Sequence, residues 1–338
     1  MIKKNKIFII AEIGVNHNGL ISNAIKLIDY AVEANCDAVK FQTFNPEKLL
    51  KKNTKLADYQ KRNSQFLNMF DLIKRYTFTN DQFFNLKKYC EKKNIIFMST
   101  PFDSTSAIFL DKIGMKIFKI SSTDNQNYLL LDLVKSFKKK IILSTGMLEN
   151  RQLEKTLKYI NMKKQLLKIL HCISDYPTRL ENSQLGNIKN LLKYGYDVGF
   201  SDHTEGHIGS CIAVSLGAKI IEKHITLDKN MKGPDHKSSL NVSELKQFVT
   251  NLNSSFLSKN TKIRKLTIDE KKLLQTAKKS LYYFSCLPKN HVLTKEDLIP
   301  LRPLNNGICP SKINSIIGKK LNKNVKRGKK ILYDDIKK

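Results

Sequence analysis

Eight polar strings in this chain carry residue types able to do chemistry, and each follows a short apolar run. Glu12 lies in Ala11-Glu12-Ile13-Gly14-Val15-Asn16-His17, and Lys40 and Gln42 in Lys40-Phe41-Gln42-Thr43. Thr100 lies in Ser99-Thr100-Pro101-Phe102, Lys119 and Ser122 in Lys119-Ile120-Ser121-Ser122, and a fifth string reads Ser144-Thr145-Gly146-Met147. Ser174 and Tyr176 fall in the string from His171 to Pro177, Ser201 and His203 in Ser201-Asp202-His203-Thr204, and His224 in Glu222-Lys223-His224. His203 and His224 could hold one divalent ion, with Glu12 orienting a water or completing the shell. Hydrogen-bonded core histidines are the other reading of the same pair. Lys40 and Lys119, if enclosed, need an anion beside them. With Thr100, Ser122, Ser174 and Ser201 they would form a pocket of cations and hydroxyls suited to a phosphate plus a carboxylate. A solvated lysine at a strand edge remains the alternative for either one alone. The chain has no P-loop and no dinucleotide glycine fingerprint, so a nucleotide is not the implied anion.

The elements that must position these residues follow from periodicity. Apolar, β-rich runs recur at Ile7 to Ile13, Ala38 to Thr43, Ile95 to Thr100, Ile117 to Ser121, Ile141 to Thr145, Leu167 to Ile173, Val198 to His203 and Ile220 to Thr226. Helical patterns fall between most of them, such as Ala24, Ile28, Ala31 and Val32 after a Ser22-Asn23 cap, or Phe83, Leu86 and Cys90 after Thr79-Asn80-Asp81. Alternating strand and helix implies parallel strands with right-handed crossovers, and eight such units predict an α/β fold of the (β/α)8 barrel type. In such a barrel the site is built at the C-terminal ends of the strands, where the polar strings lie. The two-residue period puts Lys40 with Gln42, Ser201 with His203, and Glu222 with His224 on common faces. The stretch from Asn45 to Asn94 must carry an insertion.

After Asp228 the pattern changes. Residues 241 to 282 read as helical and polar, and beyond them come short segments broken by Pro303, Asn305-Asn306-Gly307 and Gly328. The expected organisation is a barrel over 1–257, a charged linker over 258–278 and a small domain over 279–338, which at that size needs support from a neighbour or a second subunit.

Lys and Arg exceed Asp and Glu by 60 to 30, a formal charge of +30. Only seven of the sixty cations are arginine and the lysines are scattered, without the arginine-rich, aromatic-interleaved stripe that nucleic-acid readers favour. A lysine bias of the host explains this, so no nucleic-acid partner is expected, although the field would help attract an anionic substrate. Six cysteines stand far apart with no C-x-x-C pair, giving neither a zinc cluster nor a disulfide framework. No apolar run approaches a membrane span, and the stretch Ile7 to Ile10 after the basic Met1 to Lys6 is too short for a signal peptide to be expected. A cytoplasmic protein without a membrane partner is expected.

The strings resemble the sialic acid synthase (nonulosonate synthase) family over nearly the whole chain. The resemblance rests on Ala11 to Gly19, Lys40 to Thr43, Ser99 to Phe102, Leu143 to Met147, Ser201 to Thr204, Glu222 to His224 and Gly233-Pro234-Asp235-His236-Lys237, in the order the family shows them. The C-terminal part, with Leu301-Arg302-Pro303 and Asn306-Gly307-Ile308, looks like the family's antifreeze-like SAF domain. The resemblance implies a TIM barrel followed by an SAF lid, a domain-swapped homodimer, and condensation of phosphoenolpyruvate with an N-acylated hexosamine. It implies Mn2+ or Mg2+ on His203 and His224, and a phosphoenolpyruvate pocket of Lys40, Thr100, Lys119, Ser122, Ser174 and Ser201. Sugar contacts would come from Gln42, Tyr176 and Asp235, and Arg302 would be the lid arginine approaching the N-acyl group. Glu12 would position or deprotonate a water held by the ion. Two departures stand out. Asp124 replaces a glutamate that in many members contacts the sugar, and Lys278-Lys279-Ser280 replaces an arginine-rich entry to the lid. The acceptor expected first is N-acetylmannosamine, giving N-acetylneuraminate. The alternative is the 6-deoxy, di-N-acetylated hexose of legionaminate synthesis, and Ala57-Asp58-Tyr59-Gln60-Lys61 fits both. A metal-dependent barrel hydrolase and an RNA-binding protein are the readings from other classes.

Overall fold

Eight parallel strands close into a barrel in strict chain order, β1 through β8. The computed structural model describes residues 6–56, 66, 68–259 and 263–337, so the Ala57 to Lys61 string lies outside the described residues. The strands are β1 (Phe8–Gly14), β2 (Ala38–Thr43), β3 (Ile96–Pro101), β4 (Ile117–Ile120), β5 (Lys140–Ser144), β6 (Leu167–Cys172), β7 (Asp197–Asp202) and β8 (Ile220–His224). Each follows its expected run to within about two residues, because both faces of a barrel strand are buried and the apolar run marks its length.

Alternation along the strands sorts the interior into two levels. Phe8, Ile10, Ala38, Met98, Ile142, Leu170 and Ile220 pack together as an apolar plug. One step of two residues toward the C-terminal ends, the same faces carry Glu12, Lys40, Thr100, Ser144, Cys172 and Glu222. The register sets them side by side, with Glu12 opposite both Lys40 and His224, and Ser201 opposite both Cys172 and Glu222. The outward faces meet the helices in the main core, for example Ile9, Val39, Phe97 and Phe118 against Leu27, Leu86 and Leu110.

The insertion after β2 holds the short helices Pro46–Leu49 and Met69–Tyr76 before the crossover helix Asn80–Lys92, which starts in a Thr79–Gln82 capping box. The first crossover helix differs from expectation. It spans Ile21–Glu33 and its N-cap is Leu20, without a side-chain cap bond. Ser22 and Asn23 therefore lie inside the first turn, since the tight loop Asn16 to Leu20 already satisfies its own backbone groups through bonds such as Asn18 N to Val15 O and Leu20 N to His17 O.

The chain divides into two compact units, Met1–Asn260 and Thr261–Lys338. The second begins with the helix Ile268–Ala277, within the stretch expected as a linker, and contains an antiparallel pair, β9 (Ser280–Tyr283) with β10 (Leu298–Leu301). Its core is small, built around Leu281, Tyr283, Leu293, Ile316, Leu321 and Ile331. The first unit is a (β/α)8 barrel. Among the described residues no helix is long and apolar enough to cross a membrane.

Candidate active site

The upper level of the barrel is a chain of buried charges. Lys40 Nζ lies 2.7 Å from Glu12 Oε2 and 3.7 Å from Glu222 Oε1, and donates to Thr100 Oγ1 at 3.0 Å. Lys119 Nζ lies 3.8 Å from the same Glu222 oxygen and donates to Ser144 Oγ at 2.6 Å and to the Ile120 carbonyl at 3.2 Å. Ser201 donates to Glu222 Oε1 at 2.9 Å. Both lysines are 3% exposed, so their charges survive only by mutual pairing. Burial pulls Lys119 below the ordinary lysine value. Burial acts on Lys40 too, but Glu12 and Glu222 hold it above that value. Burial lifts Glu12 to about 7 against the pull of Lys40. The same burial is overcome at Glu222, which Lys119 and Lys40 keep below the usual carboxylate range. Two neighbouring carboxyls thus differ in acidity, as a site moving one proton near neutrality requires.

The histidines stand at the edge of this chain. Their ring centroids are 5.8 Å apart, and the Tyr176 ring lies 4.0 Å from that of His203 and 6.1 Å from that of His224. His203 Nδ1 pairs with the Ile173 carbonyl at 2.7 Å, which orients the ring and leaves Nε2 for a ligand. His224 Nδ1 is buried without a hydrogen-bond partner among the described residues, with Asp235 Oδ2 3.9 Å away. Burial first, then the His203 ring and the nearby lysines, hold His224 far below the usual histidine value, so it is a neutral imidazole. A neutral, orphaned imidazole beside an oriented one fits a two-histidine metal site. No third His, Cys, Asp or Glu joins them in a metal-holding cluster among the described residues. Burial also lifts Asp235 to about 6.

Two glycines make room. β1 shifts register between Glu12 and Gly14, and Gly14 sits at φ +53°, where a Cβ would stand 3.2 Å from Glu12 Oε1 and 3.4 Å from the His224 ring. Gly146 has its own reason. A Cβ there would lie 2.5 Å from Ser122 Oγ and 2.6 Å from Ser174 Oγ. Among the described residues, Ser174 Oγ and Glu222 Oε2 are buried polar atoms with no hydrogen-bond partner, so both are available to a polar ligand.

Most expected site residues therefore converge: Glu12, Lys40, Thr100, Lys119, Ser201, His203 and His224 through the contacts above, Gln42 by its 3.4 Å donation to Glu12, and Ser122 and Ser174 around Gly146. Asp124 is different, for its carboxylate is taken up by its own turn, accepting from Ser121, Thr123 and Asn127. Arg302 is exposed in the second unit. Sequence reasoning missed Glu222 as the bridge between the lysines, although it shares a strand face with His224, and Ser144 as the partner of Lys119, although it shares one with Ile142. It also missed Cys172, whose Sγ accepts from Ser122 at 3.5 Å and approaches His203 Nδ1 at 4.0 Å.

Residues 27–264 match the model of the NeuB family, and residues 279–337 match that of the SAF domain. The chain is 37% identical over 326 residues to the N,N'-diacetyllegionaminic acid synthase of Campylobacter jejuni, covering 95% of this chain and 97% of that protein. It is 36% identical to the enzyme of the same name from Legionella pneumophila, over 97% of this chain and 94% of the relative. Among solved structures it resembles the N-acetylneuraminic acid (sialic acid) synthetase of Leptospira borgpetersenii in complex with citrate, with a TM-score of 0.71 and 34% identity over 79% of this chain and 90% of the other.

Proposed function

The chain belongs to the NeuB family, whose members are phosphoenolpyruvate-dependent, carbon–carbon bond-forming nonulosonate synthases, and we propose that this one makes N,N'-diacetyllegionaminic acid from phosphoenolpyruvate and a 6-deoxy, di-N-acetylated hexose. The observation that carries the acceptor is the near full-length similarity, barrel and SAF domain together, to two synthases of that name. It favours this acceptor over N-acetylmannosamine, which motif reading alone put first. The 34% identity to the sialic acid synthetase keeps N-acetylmannosamine as the second reading.

Phosphoenolpyruvate is held by Lys40, Lys119, Thr100, Ser122, Ser174 and Ser201. Lys119 and the unpartnered Ser174 hydroxyl supply donors to an anion in a dry pocket, where charge-assisted bonds are strongest. A divalent ion, Mn2+ or Mg2+, would be held by His203 and His224 and would act as a Lewis acid toward the sugar carbonyl. Gln42, Tyr176 and Asp235 orient the open-chain sugar so that C3 of phosphoenolpyruvate faces its aldehyde carbon. The new bond forms from the C2–C3 double-bond electrons, water adds at the cationic C2, and the proton this water gives up ends on the former aldehyde oxygen. Glu12, lifted to about 7, takes the proton from that water. The tetrahedral centre then breaks its C2–O bond to phosphate while its hydroxyl proton passes to that leaving phosphate, giving the 2-keto acid, with Lys40 and Lys119 stabilising the departing anion. The SAF domain brings Arg302 over the barrel mouth of a partner subunit.

The experiment is mass spectrometry of products formed from phosphoenolpyruvate, Mn2+ and a panel of hexosamines. Preferred turnover of the 6-deoxy, di-N-acetylated sugar with phosphate release is expected. Turnover of N-acetylmannosamine alone would move the enzyme to neuraminate synthesis.

A further inference from the structure

Asp124 sits where family resemblance expects a sugar-binding glutamate, and its environment points elsewhere. Leaving β4, the chain turns through residues 121 to 127 with Asp124 N bonded to the Ser121 carbonyl and Asn127 N to the Asp124 carbonyl. Within that turn Asp124 Oδ2 accepts from Ser121 Oγ at 2.9 Å and Thr123 Oγ1 at 3.1 Å, and Oδ1 accepts from Asn127 Nδ2 at 3.0 Å. Asp124 is 8% exposed. Ser121 Oγ and Thr123 Oγ1 also lie 2.6 Å apart, so their two protons are shared among the hydroxyls and Oδ2, and with Asn127 on Oδ1 both carboxylate oxygens are engaged inside the turn.

What the turn presents is the other set of side chains. Ser122 Oγ reaches Cys172 Sγ and closes on Gly146, and Asn125 Nδ2 donates to the Gly146 carbonyl at 2.8 Å and the Ser144 carbonyl at 3.3 Å. Asn127 caps the next helix, Tyr128–Ser136, by accepting from Leu130 N. Residues 121, 123 and 127 thus face Asp124, while 122 and 125 face the β5 end, where Ser144 holds Lys119.

We propose that Asp124 is a positioning residue for the phosphoenolpyruvate side of the site: its carboxylate braces the 121–127 turn so that Ser122 and Asn125 seat against Gly146, and it does not bind the acceptor sugar. This rests on the assignment of Ser122 and Lys119 to phosphoenolpyruvate above.

The test pairs phosphoenolpyruvate binding to the full-length, metal-loaded protein, measured by calorimetry without acceptor, with steady-state kinetics on both candidate sugars. Asp124→Asn should weaken phosphoenolpyruvate binding about tenfold, the scale of one charge-assisted hydrogen bond. The acceptor KM and the kcat/KM ratio between the two sugars should change less than about twofold, on the scale of an interaction not made. Ser121→Ala/Thr123→Val removes two donors, leaves the carboxylate, and should weaken phosphoenolpyruvate binding in the same direction. If Asp124→Asn does not fold, judged by its melting curve, this second variant decides. A tenfold change in acceptor KM or sugar ratio with unchanged phosphoenolpyruvate binding overturns the proposal, as does full phosphoenolpyruvate affinity in Ser121→Ala/Thr123→Val. Absence of phosphoenolpyruvate binding by the unmodified protein would instead overturn the functional reading beneath it.

Discussion

Glu12 and Lys40 form an ion pair at 2.7 Å in which neither side chain is more than 4% exposed, directly above the apolar plug of the barrel. Removing only the lysine strands a carboxylate in a dry interior, so Lys40→Ala should destabilise the barrel by about 3–5 kcal/mol as well as abolish activity. Glu12→Gln keeps the shape and separates the roles. It should lower kcat by about two to four orders of magnitude, the range of a lost general base, while phosphoenolpyruvate still binds. An unchanged kcat would remove Glu12 from proton transfer.

Lys119 offers a cleaner probe of anion binding, because Ser144 and the Ile120 carbonyl hold it from strand elements. Lys119→Met should raise the phosphoenolpyruvate KM about ten- to a hundredfold, the equivalent of ~1.5–3 kcal/mol for a charged hydrogen bond. The acceptor KM should move far less. Equal effects on both substrates would place Lys119 outside the anion pocket.

The histidine pair makes metal dependence testable apart from turnover. Chelation should abolish product formation, and Mn2+ should restore it. His203→Ala/His224→Ala should lose Mn2+ binding in a direct titration of the protein. Activity of that double variant without metal would dismiss the two-histidine site.

These residues differ in how openly the sequence displays them. Lys40, Ser201 and Glu222 follow from the two-residue period, because each strand is buried on both faces and its inward set is fixed once one member is. Side chains in turns have no such period. Ser121, Thr123 and Asp124 bond one another while Ser122 faces the site, an outcome set by local donor and acceptor geometry. Leu20 as the first helix cap has the same origin, since the loop before it satisfied its own backbone. The sharing of Glu222 between two lysines on β2 and β4 depends on barrel closure, a relation among strands distant in the chain.

The second unit carries a pH-dependent stability of its own. Asp335 is 0% exposed and receives Lys329 Nζ at 2.9 Å, Lys323 Nζ at 2.7 Å and Leu332 N at 3.2 Å. Burial would raise its pKa, but the two lysines and the backbone donor lower it. A carboxyl more acidic folded than unfolded contributes its full stability above the unfolded value and loses it as pH falls through the lowered one. The lysines are about half exposed, 51% and 40%, so Asp335→Asn should cost only about 1–2 kcal/mol at neutral pH. Urea unfolding of the full chain at neutral and acidic pH reads this. The variant should lose stability at neutral pH and converge with the parent in acid, and a constant difference at both would assign the effect to packing.

Arg302 is the remaining piece of the proposed mechanism, and its case rests on size and chemistry. It is exposed at the end of β10 in a unit whose core is a handful of residues, a domain too small to be robust alone. A planar guanidinium can donate two parallel bonds to an N-acyl carbonyl and its surroundings and help exclude water, which a lysine at the same place does poorly. If the lid acts in trans, a site needs a barrel from one chain and Arg302 from another. Arg302→Ala chains and His203→Ala chains should each be inactive alone. Mixing them under conditions where subunit exchange is verified should restore activity, because some heterodimers pair an intact barrel with an intact lid. Exchange without recovery, or full activity in Arg302→Ala by itself, would mean that this arginine does not complete a partner's site.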